Sequence, residues 1–478
     1  MRQRRLLAAL LPALLLALAP RAQENPAENA QPQPGMEQRH AEKVALAKAS
    51  NHDLLMIGDS ITHAFDDAEF KAVWDQFFAP RNALNLGFSG ARTGNILWNL
   101  RNGQLEGQSP KVATLLIGTN NAFYEDRPRL YPKVWTDHHN GEQIAGGTMA
   151  IVRLLRETLP DTKLLLLRPF PYGAPDSPHR TTLDDAWNRV RKLADGKSIF
   201  LCDINHIFLN PDGSINAGLM PDLLHPNPAG AKKWAQEMEP LLSSLMGDAS
   251  RDTEPPANSA VVPVSRLEKD SYNWGGRHAE ALKIKDELNP EVVLIGDSIT
   301  HFWGGLPASK ANGPKAYEAA FGGLRTLNIG FGWDRTQNVL WRIDHGELDG
   351  LRPRTVVIHI GTNNTSQTPN ARKNTAAEIA EGIREVILRV RSKAPGAKII
   401  LMAVFPREEK PDHPRRVLIN EINALIADLG KQRGITFVDI GPKLANPDGT
   451  LSRDIMPDFC HPTEKGYDIW GTALKPLL

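Results

Sequence analysis

The chain reads as two tandem α/β domains, each built on a parallel sheet with helices on both faces. Three observations carry that reading. The heptapeptide Ile57-Gly58-Asp59-Ser60-Ile61-Thr62-His63 returns intact as Ile295-Gly296-Asp297-Ser298-Ile299-Thr300-His301. Further blocks return in the same order at a spacing of about 240 residues, the mark of a duplicated unit. Within each half, short apolar runs alternate with helical patterns, which implies strands joined by crossover helices.

At 478 residues the chain has room for about two to four ordinary domains. Lys and Arg total 56 against 55 Asp and Glu, a formal charge of +1. With no long basic run either, nothing points to nucleic acid as a partner. Cys202 and Cys460 lie in different halves, which excludes a cysteine-based metal site and predicts two free thiols. His138-His139 has no companion cluster of ligand-type residues, so no metal is expected, and no cofactor.

The N-terminus opens with Met1-Arg2-Gln3-Arg4-Arg5, followed by an almost wholly apolar run from Leu6 to Ala19 and the small residue Ala22. That order describes a secretory signal peptide over 1–22, cleaved after Ala22 because Pro20 hinders cleavage after Ala19. The run is short for a spanning helix, so a secreted or periplasmic protein without stable membrane insertion is expected. Residues 23–35, rich in Pro, Gln and Asn, read as a flexible lead-in. The first domain then covers 36–246, a Pro-bearing polar linker 247–263, and the second domain 264–478.

In the first domain a helix is expected at 37–48, then strands at 54–57, 83–86, 112–117, 163–167 and 199–202. In the second domain strands are expected at 292–295, 324–329, 355–360, 398–403 and 436–438. Helical patterns at 149–158 and 379–392 stand at matching places between them. The prelude Arg39-His40-Ala41-Glu42 is echoed by Arg277-His278-Ala279-Glu280. Near-continuous apolar strands such as Val356-Val357-Ile358 fit burial on both faces. In such open sheets, catalytic groups collect at the carboxyl ends of the strands.

Three later blocks matter for chemistry. Asn85-Leu86-Gly87-Phe88-Ser89-Gly90-Ala91-Arg92-Thr93 matches Asn328-Ile329-Gly330-Phe331-Gly332-Trp333-Asp334-Arg335-Thr336. Ile117-Gly118-Thr119-Asn120-Asn121 matches Ile360-Gly361-Thr362-Asn363-Asn364. Met220-Pro221-Asp222-Leu223-Leu224-His225 matches Met456-Pro457-Asp458-Phe459-Cys460-His461. A serine at a strand-to-helix turn projects its hydroxyl above the sheet. A serine hydroxyl needs a base, and the base an orienting carboxylate; Asp222 with His225, and Asp458 with His461, supply both. Negative charge on a tetrahedral intermediate then needs aimed donors. The serine N–H, a glycine N–H of the second block and the amide of Asn120 or Asn363 are the candidates.

With these blocks the sequence resembles the SGNH (GDSL-like) hydrolases. Through Leu97-Trp98-Asn99-Leu100 and Leu340-Trp341-Arg342-Ile343 it is similar to the catalytic subunits of platelet-activating factor acetylhydrolase, the second half more so. The resemblance implies a flavodoxin-like three-layer α/β/α sandwich and ester hydrolysis through an acyl-serine, with no metal or cofactor. It makes Ser60 the nucleophile, His225 the base and Asp222 its orienting group, with Ser60 N–H, Gly90 N–H and Asn120 as oxyanion donors. The second site takes Ser298, His461, Asp458 and Asn363, but Trp333 stands where the first half has Gly90. If that position needs a positive φ, a non-glycine residue adds strain of about 1–2 kcal/mol. The first half departs at Ala91, where the family often has Asp.

The remaining marked residues read more plainly. Asp59 and Asp297 brace the turn, His63 and His301 pack on a helix face, and Trp98 and Trp341 anchor a helix in the core. The stretch 122–147 carries Phe123, Tyr124, Tyr131 and Trp135, while its counterpart 365–380 is shorter and polar. It is either an aromatic-bearing lid or an insertion packed on the neighbouring domain. The whole describes an exported esterase acting on short-chain acyl esters, with carbohydrate O-acetyl groups or other small-molecule esters as substrates. Lipid-directed esters, or one working and one degenerate domain, are the rivals. Duplication also predicts a twofold-like pairing of the two domains.

Overall fold

The computed structural model describes residues 25–122, 138–253 and 258–478. Residues 1–22, expected to form a signal peptide, and Phe123, Tyr124, Tyr131 and Trp135 lie outside the described residues. The first sheet consists of β1 (Leu54–Gly58), β2 (Ala83–Gly87), β3 (Val112–Leu116), β4 (Lys163–Leu167) and β5 (Ile199–Cys202). The second consists of β6 (Val292–Gly296), β7 (Thr326–Gly330), β8 (Thr355–His359), β9 (Lys398–Met402) and β10 (Ile435–Val438). Both are wholly parallel, ordered β2-β1-β3-β4-β5 and, equivalently, β7-β6-β8-β9-β10. That is the flavodoxin-like order, and it reverses direction between β1 and β3, and between β6 and β8, where sites form in open sheets.

The apolar strands are buried on both faces, and their alternation sorts side chains between two cores. Leu54 and Met56 pack with Phe65, Phe77 and Trp234 on one face of the first sheet, while Leu55 and Ile57 pack with Leu97, Ile151 and Leu155 on the other. Val292 and Leu294 likewise face Trp303 and Trp470, while Val293 and Ile295 face Leu340, Ile383 and Ile387. Each such side chain contributes about 1.5–3 kcal/mol by leaving water. The helices Gly141–Thr158 and Ala376–Lys393 begin earlier than expected, because Asn140 and Thr375 cap them by accepting the N–H groups of Gln143 and Glu378. Residues 141–147 of the expected lid therefore belong to a core helix.

The segments read as flexible lead-in and linker are docked instead. Ala27 is fully buried, its carbonyl accepts the Thr93 hydroxyl at 2.7 Å, and Gln33 Nε2 donates to Ser89 O at 2.7 Å. In the second half Ala260 is buried and its carbonyl accepts the Thr336 hydroxyl at 2.8 Å. Residues 258–263 thus belong with the second domain. Residues 248–252 are tied to the first, through Arg81 to Asp248 and Gln76 Nε2 to Arg251 O.

The two domains meet through unlike surfaces, which corrects the twofold expectation. The last turns of helix Ala376–Lys393 lie against the end of β5 and the helix Pro228–Met246 of the first domain. Lys393 Nζ reaches Asp203 at 2.7 Å and Arg389 reaches Glu237 at 3.3 Å, while Arg391 Nε donates to Pro211 O at 3.0 Å. Arg191 of the first domain returns to Asp349 at 3.0 Å. The matching residues elsewhere are Leu154 for Arg389, Thr158 for Lys393 and Ala473 for Glu237, so the reciprocal contact lacks its charges. Cys202 and Cys460 are free and buried.

Candidate active site

β1 and β6 each end in glycine and hand the chain to a four-residue helix, Ser60–His63 or Ser298–His301. The preceding aspartate caps that helix: Asp59 Oδ1 accepts the Ile61 N–H at 3.1 Å and Asp297 Oδ1 the Ile299 N–H at 2.9 Å. Burial pushes Asp59 up to about 6 and Asp297 up to about 7. The helix crosses closely over the neighbouring strand. A Cβ on Gly87 would come within 2.3 Å of the His63 nitrogen, and one on Gly330 within 2.4 Å of the His301 nitrogen. Only glycine admits that approach.

The late blocks bring their partners to the serines. Ser60 Oγ lies 2.9 Å from His225 Nε2, and His225 Nδ1 lies 2.7 Å from Asp222 Oδ2. In the second half the same distances are 2.8 Å and 2.7 Å, for Ser298 with His461 and His461 with Asp458. Each aspartate also closes a tight turn with its other oxygen, accepting the His225 N–H at 2.7 Å or the His461 N–H at 2.8 Å. Burial works against the Asp222 carboxylate, but these hydrogen bonds outweigh it and hold the group down at about 2. The same balance holds Asp458 below its ordinary value. Both aspartates therefore stay ionised, each placed to accept a proton from the Nδ1 of its histidine.

The four oxyanion candidates sit on two loops tied together. In the turn Phe88-Ser89-Gly90-Ala91 the Ala91 N–H returns to Phe88 O at 3.0 Å, with Gly90 at φ +78°. In Phe331-Gly332-Trp333-Asp334 the closing bond is 3.2 Å and Trp333 takes φ +64°. The tryptophan thus reproduces the glycine's backbone, and its N–H keeps the same place in the turn. Asn120 Nδ2 donates to Ala91 O and Asn363 Nδ2 to Asp334 O, each at 3.0 Å. An amide nitrogen has two hydrogens, so each asparagine holds the loop with one and retains another for a ligand.

Three pairs of residues at this site were underrated by the sequence reading. His63 Nδ1 accepts the Ser89 N–H at 3.0 Å, and His301 Nδ1 the Gly332 N–H at 3.2 Å, so these histidines brace the oxyanion loop. Burial pushes them down to about 4 and about 3, which keeps both rings neutral acceptors. Arg39 Nε donates to Gly87 O at 2.8 Å, and Arg277 Nε to Gly330 O at 3.0 Å. Asn85 and Asn328 donate to Thr62 O and Thr300 O beneath the serine helix. All six lie in repeated blocks, and that repetition was the available signal.

His139 is buried and bonded to Asn121 at 2.8 Å, a packing role. Among the described residues, no group of three or more His, Cys, Asp or Glu could hold a metal ion. A cavity of about 390 Å³ lies between the domains, away from both serines, and its Arg168, Asp203, Asp349 and Lys393 are engaged in ion pairs.

The chain has relatives among known proteins. The family model of the GDSL-like lipase/acylhydrolases matches twice, over residues 56–233 and 294–469. The platelet-activating factor acetylhydrolase IB subunit alpha1 of Rattus norvegicus is 33% identical over 230 residues, which cover 48% of this chain and 91% of that protein. A GDSL-like lipase of Bacteroides thetaiotaomicron aligns over 42% of this chain and 97% of its own, at 22% identity and a TM-score of 0.34. An acetylxylan esterase of Geobacillus stearothermophilus aligns over 39% and 92%, at 20% identity and a TM-score of 0.33. With two successive matches spanning most of its length, the chain belongs to the GDSL-like lipase/acylhydrolase family and is an ester-hydrolysing serine hydrolase with the family domain in tandem.

Proposed function

We propose that the protein is an exported esterase with two working sites, each removing short acyl groups from esters through an acyl-serine. The observation that carries this is the closed Ser-His-Asp chain in both halves, 2.9 and 2.7 Å in the first and 2.8 and 2.7 Å in the second. His225 Nε2 takes the Ser60 proton as Oγ attacks the ester carbonyl carbon. The resulting oxyanion is held by the N–H groups of Ser60 and Gly90 and by Asn120 Nδ2. The intermediate collapses, the bond to the alcohol oxygen breaks, and His225 returns the proton to that oxygen. Water then attacks the acyl-serine with His225 again as base, releasing the carboxylic acid and restoring Ser60. Ser298, His461, Asp458, Trp333 N–H and Asn363 take the same parts in the second half. The positive φ of Trp333 supports a working rather than a degenerate second site, because it keeps the loop in the shape that Gly90 gives the first.

Acetyl is the acyl group we favour, supported by the acetylhydrolase named among the relatives. Carbohydrate O-acetyl esters suit an exported enzyme. Export rests on the basic and apolar order of residues 1–22. Rates on O-acetylated sugars, aryl acetates and acetylated lipids test the substrate class. Preference for a lipid ester would replace the carbohydrate reading. The protein recovered from the exported fraction should begin at Gln23; an N-terminus at Met1 there would contradict cleavage.

A further inference from the structure

The same point on the rim of the two sites is filled by opposite chemistry. In the first half, a Cβ added to Gly90 would meet the Gln33 amide nitrogen at 3.3 Å among the described residues. Gln33 is 5% exposed and held by its bond to Ser89 O, so a fixed amide borders that position. In the second half the corresponding carbonyl, Gly332 O, is held by the Tyr272 hydroxyl at 3.2 Å, and the position equivalent to Gly90 carries an indole. Trp333 is 38% exposed, and its ring stacks on no aromatic or cationic group among the described residues. A bulky residue at positive φ is strained, by about 1–2 kcal/mol. The chain thus holds a tryptophan in an unfavourable conformation, with more than a third of its surface in water, on the loop proposed to carry an oxyanion donor.

We infer that Trp333 is a specificity-determining residue of the Ser298 site, a platform for the flat apolar face of a ring in the alcohol part of the ester. This rests on the proposed acyl-serine reaction with a short acyl group, since the ring must then lie on the alcohol side. An indole offers a rigid apolar surface at small entropic cost, suited to an aryl ring or the C–H face of a pyranose. Among the described residues, the first site has Gly90 and the Gln33 amide at the corresponding point.

The test uses the full chain carrying Ser60→Ala, so that only Ser298 works, with Trp333 intact or replaced by Gly or Phe. Substrates are 4-nitrophenyl acetate, an O-acetylated methyl pyranoside and ringless ethyl acetate, with labelling of Ser298 by a fluorophosphonate as the control. Trp333→Gly should raise KM for a ring-bearing ester by about tenfold or more relative to ethyl acetate, the range for losing one apolar contact. Trp333→Phe should restore most of the preference. Loss with the aryl ester alone identifies an aromatic ring as the ligand, and loss with the pyranoside as well identifies a sugar face. Equal changes for ringed and ringless esters, with labelling retained, would overturn the inference and leave the esterase reading standing. Absence of labelling and hydrolysis at Ser298 with Trp333 intact would overturn both.

Discussion

Beneath its oxyanion loop the second half carries a chain of buried charge that the first half has replaced with neutral groups. Asp334 accepts the Trp274 indole N–H and the Arg342 Nε–H, each at 2.8 Å. Arg342 then pairs with Glu347, and Glu347 with His278 at 2.8 Å. At the matching positions the first half has Ala91, Met36, Asn99, Gln104 and His40, of which Gln104 and His40 approach at 3.4 Å. Yet both loops keep the same turn, and both serines keep their histidines. The comparison teaches that the geometry above the loop is set by Asn120 or Asn363 and by His63 or His301. The layer below was free to diverge, provided that it changed as a set.

Breaking that set should give the largest effect. Arg342→Leu leaves Asp334 and Glu347 buried without their cation and should destabilise the second domain by about 3–5 kcal/mol. Asn99→Leu in the first half should cost about 1 kcal/mol or less, since it removes a neutral group with an unpartnered amide nitrogen. Denaturant unfolding of the full chain, followed by tryptophan fluorescence, reads both. Equal losses would remove the contrast.

The shared layer should respond alike in the two halves. Asn120→Ala in a Ser298→Ala chain, and Asn363→Ala in a Ser60→Ala chain, should each lower kcat by about 10²–10³-fold, equivalent to about 2.7–4 kcal/mol. A much smaller loss in the second half alone would show that Trp333 has altered how that oxyanion is held.

Acidity should sharpen the contrast further. His63 and His301 titrate in the folded chain at about 4 and about 3, below their ordinary 6.5. The unfolded chain therefore binds these protons more readily, and the stability they contribute is lost as pH falls below 6.5. Asp59 and Asp297 act in the opposite sense: raised to about 6 and about 7, they contribute below 3.8 and lose that contribution as pH rises through those values. Both shifts are larger in the second half. Asp297→Asn should raise the melting temperature more at pH 8 than at pH 5, and Asp59→Asn should do so less. No pH dependence in either difference would contradict the burial argument.

Much of this was legible in the sequence, because duplication printed each important block twice. The parallel sheets followed from apolar runs such as Val356-Val357-Ile358, and the serine, aspartate and histidine from motifs that keep their internal spacing. Residues 25–35 were not legible as structure, since their Pro, Gln and Asn content matches a solvated tail. Their docking depends on one small residue, Ala27, and on backbone hydrogen bonds that composition does not record. The bracing role of His63 was hidden because its partner, the Ser89 N–H, is a backbone group on another strand's loop. The unlike interdomain surfaces were hidden because they rest on charges, Arg389, Lys393 and Glu237, that occur in one copy only.

We propose that one chain holds two competent serines in unlike surroundings. The most direct measurement is covalent labelling by a fluorophosphonate, with the modified residues located by peptide mass spectrometry, in the wild type and in Ser60→Ala, Ser298→Ala and the double variant. Two labels per chain in the wild type, one in each single variant and none in the double variant is the predicted result. One label in the wild type, abolished by a single substitution, would contradict two working sites. No label at all would contradict the serine mechanism in both halves.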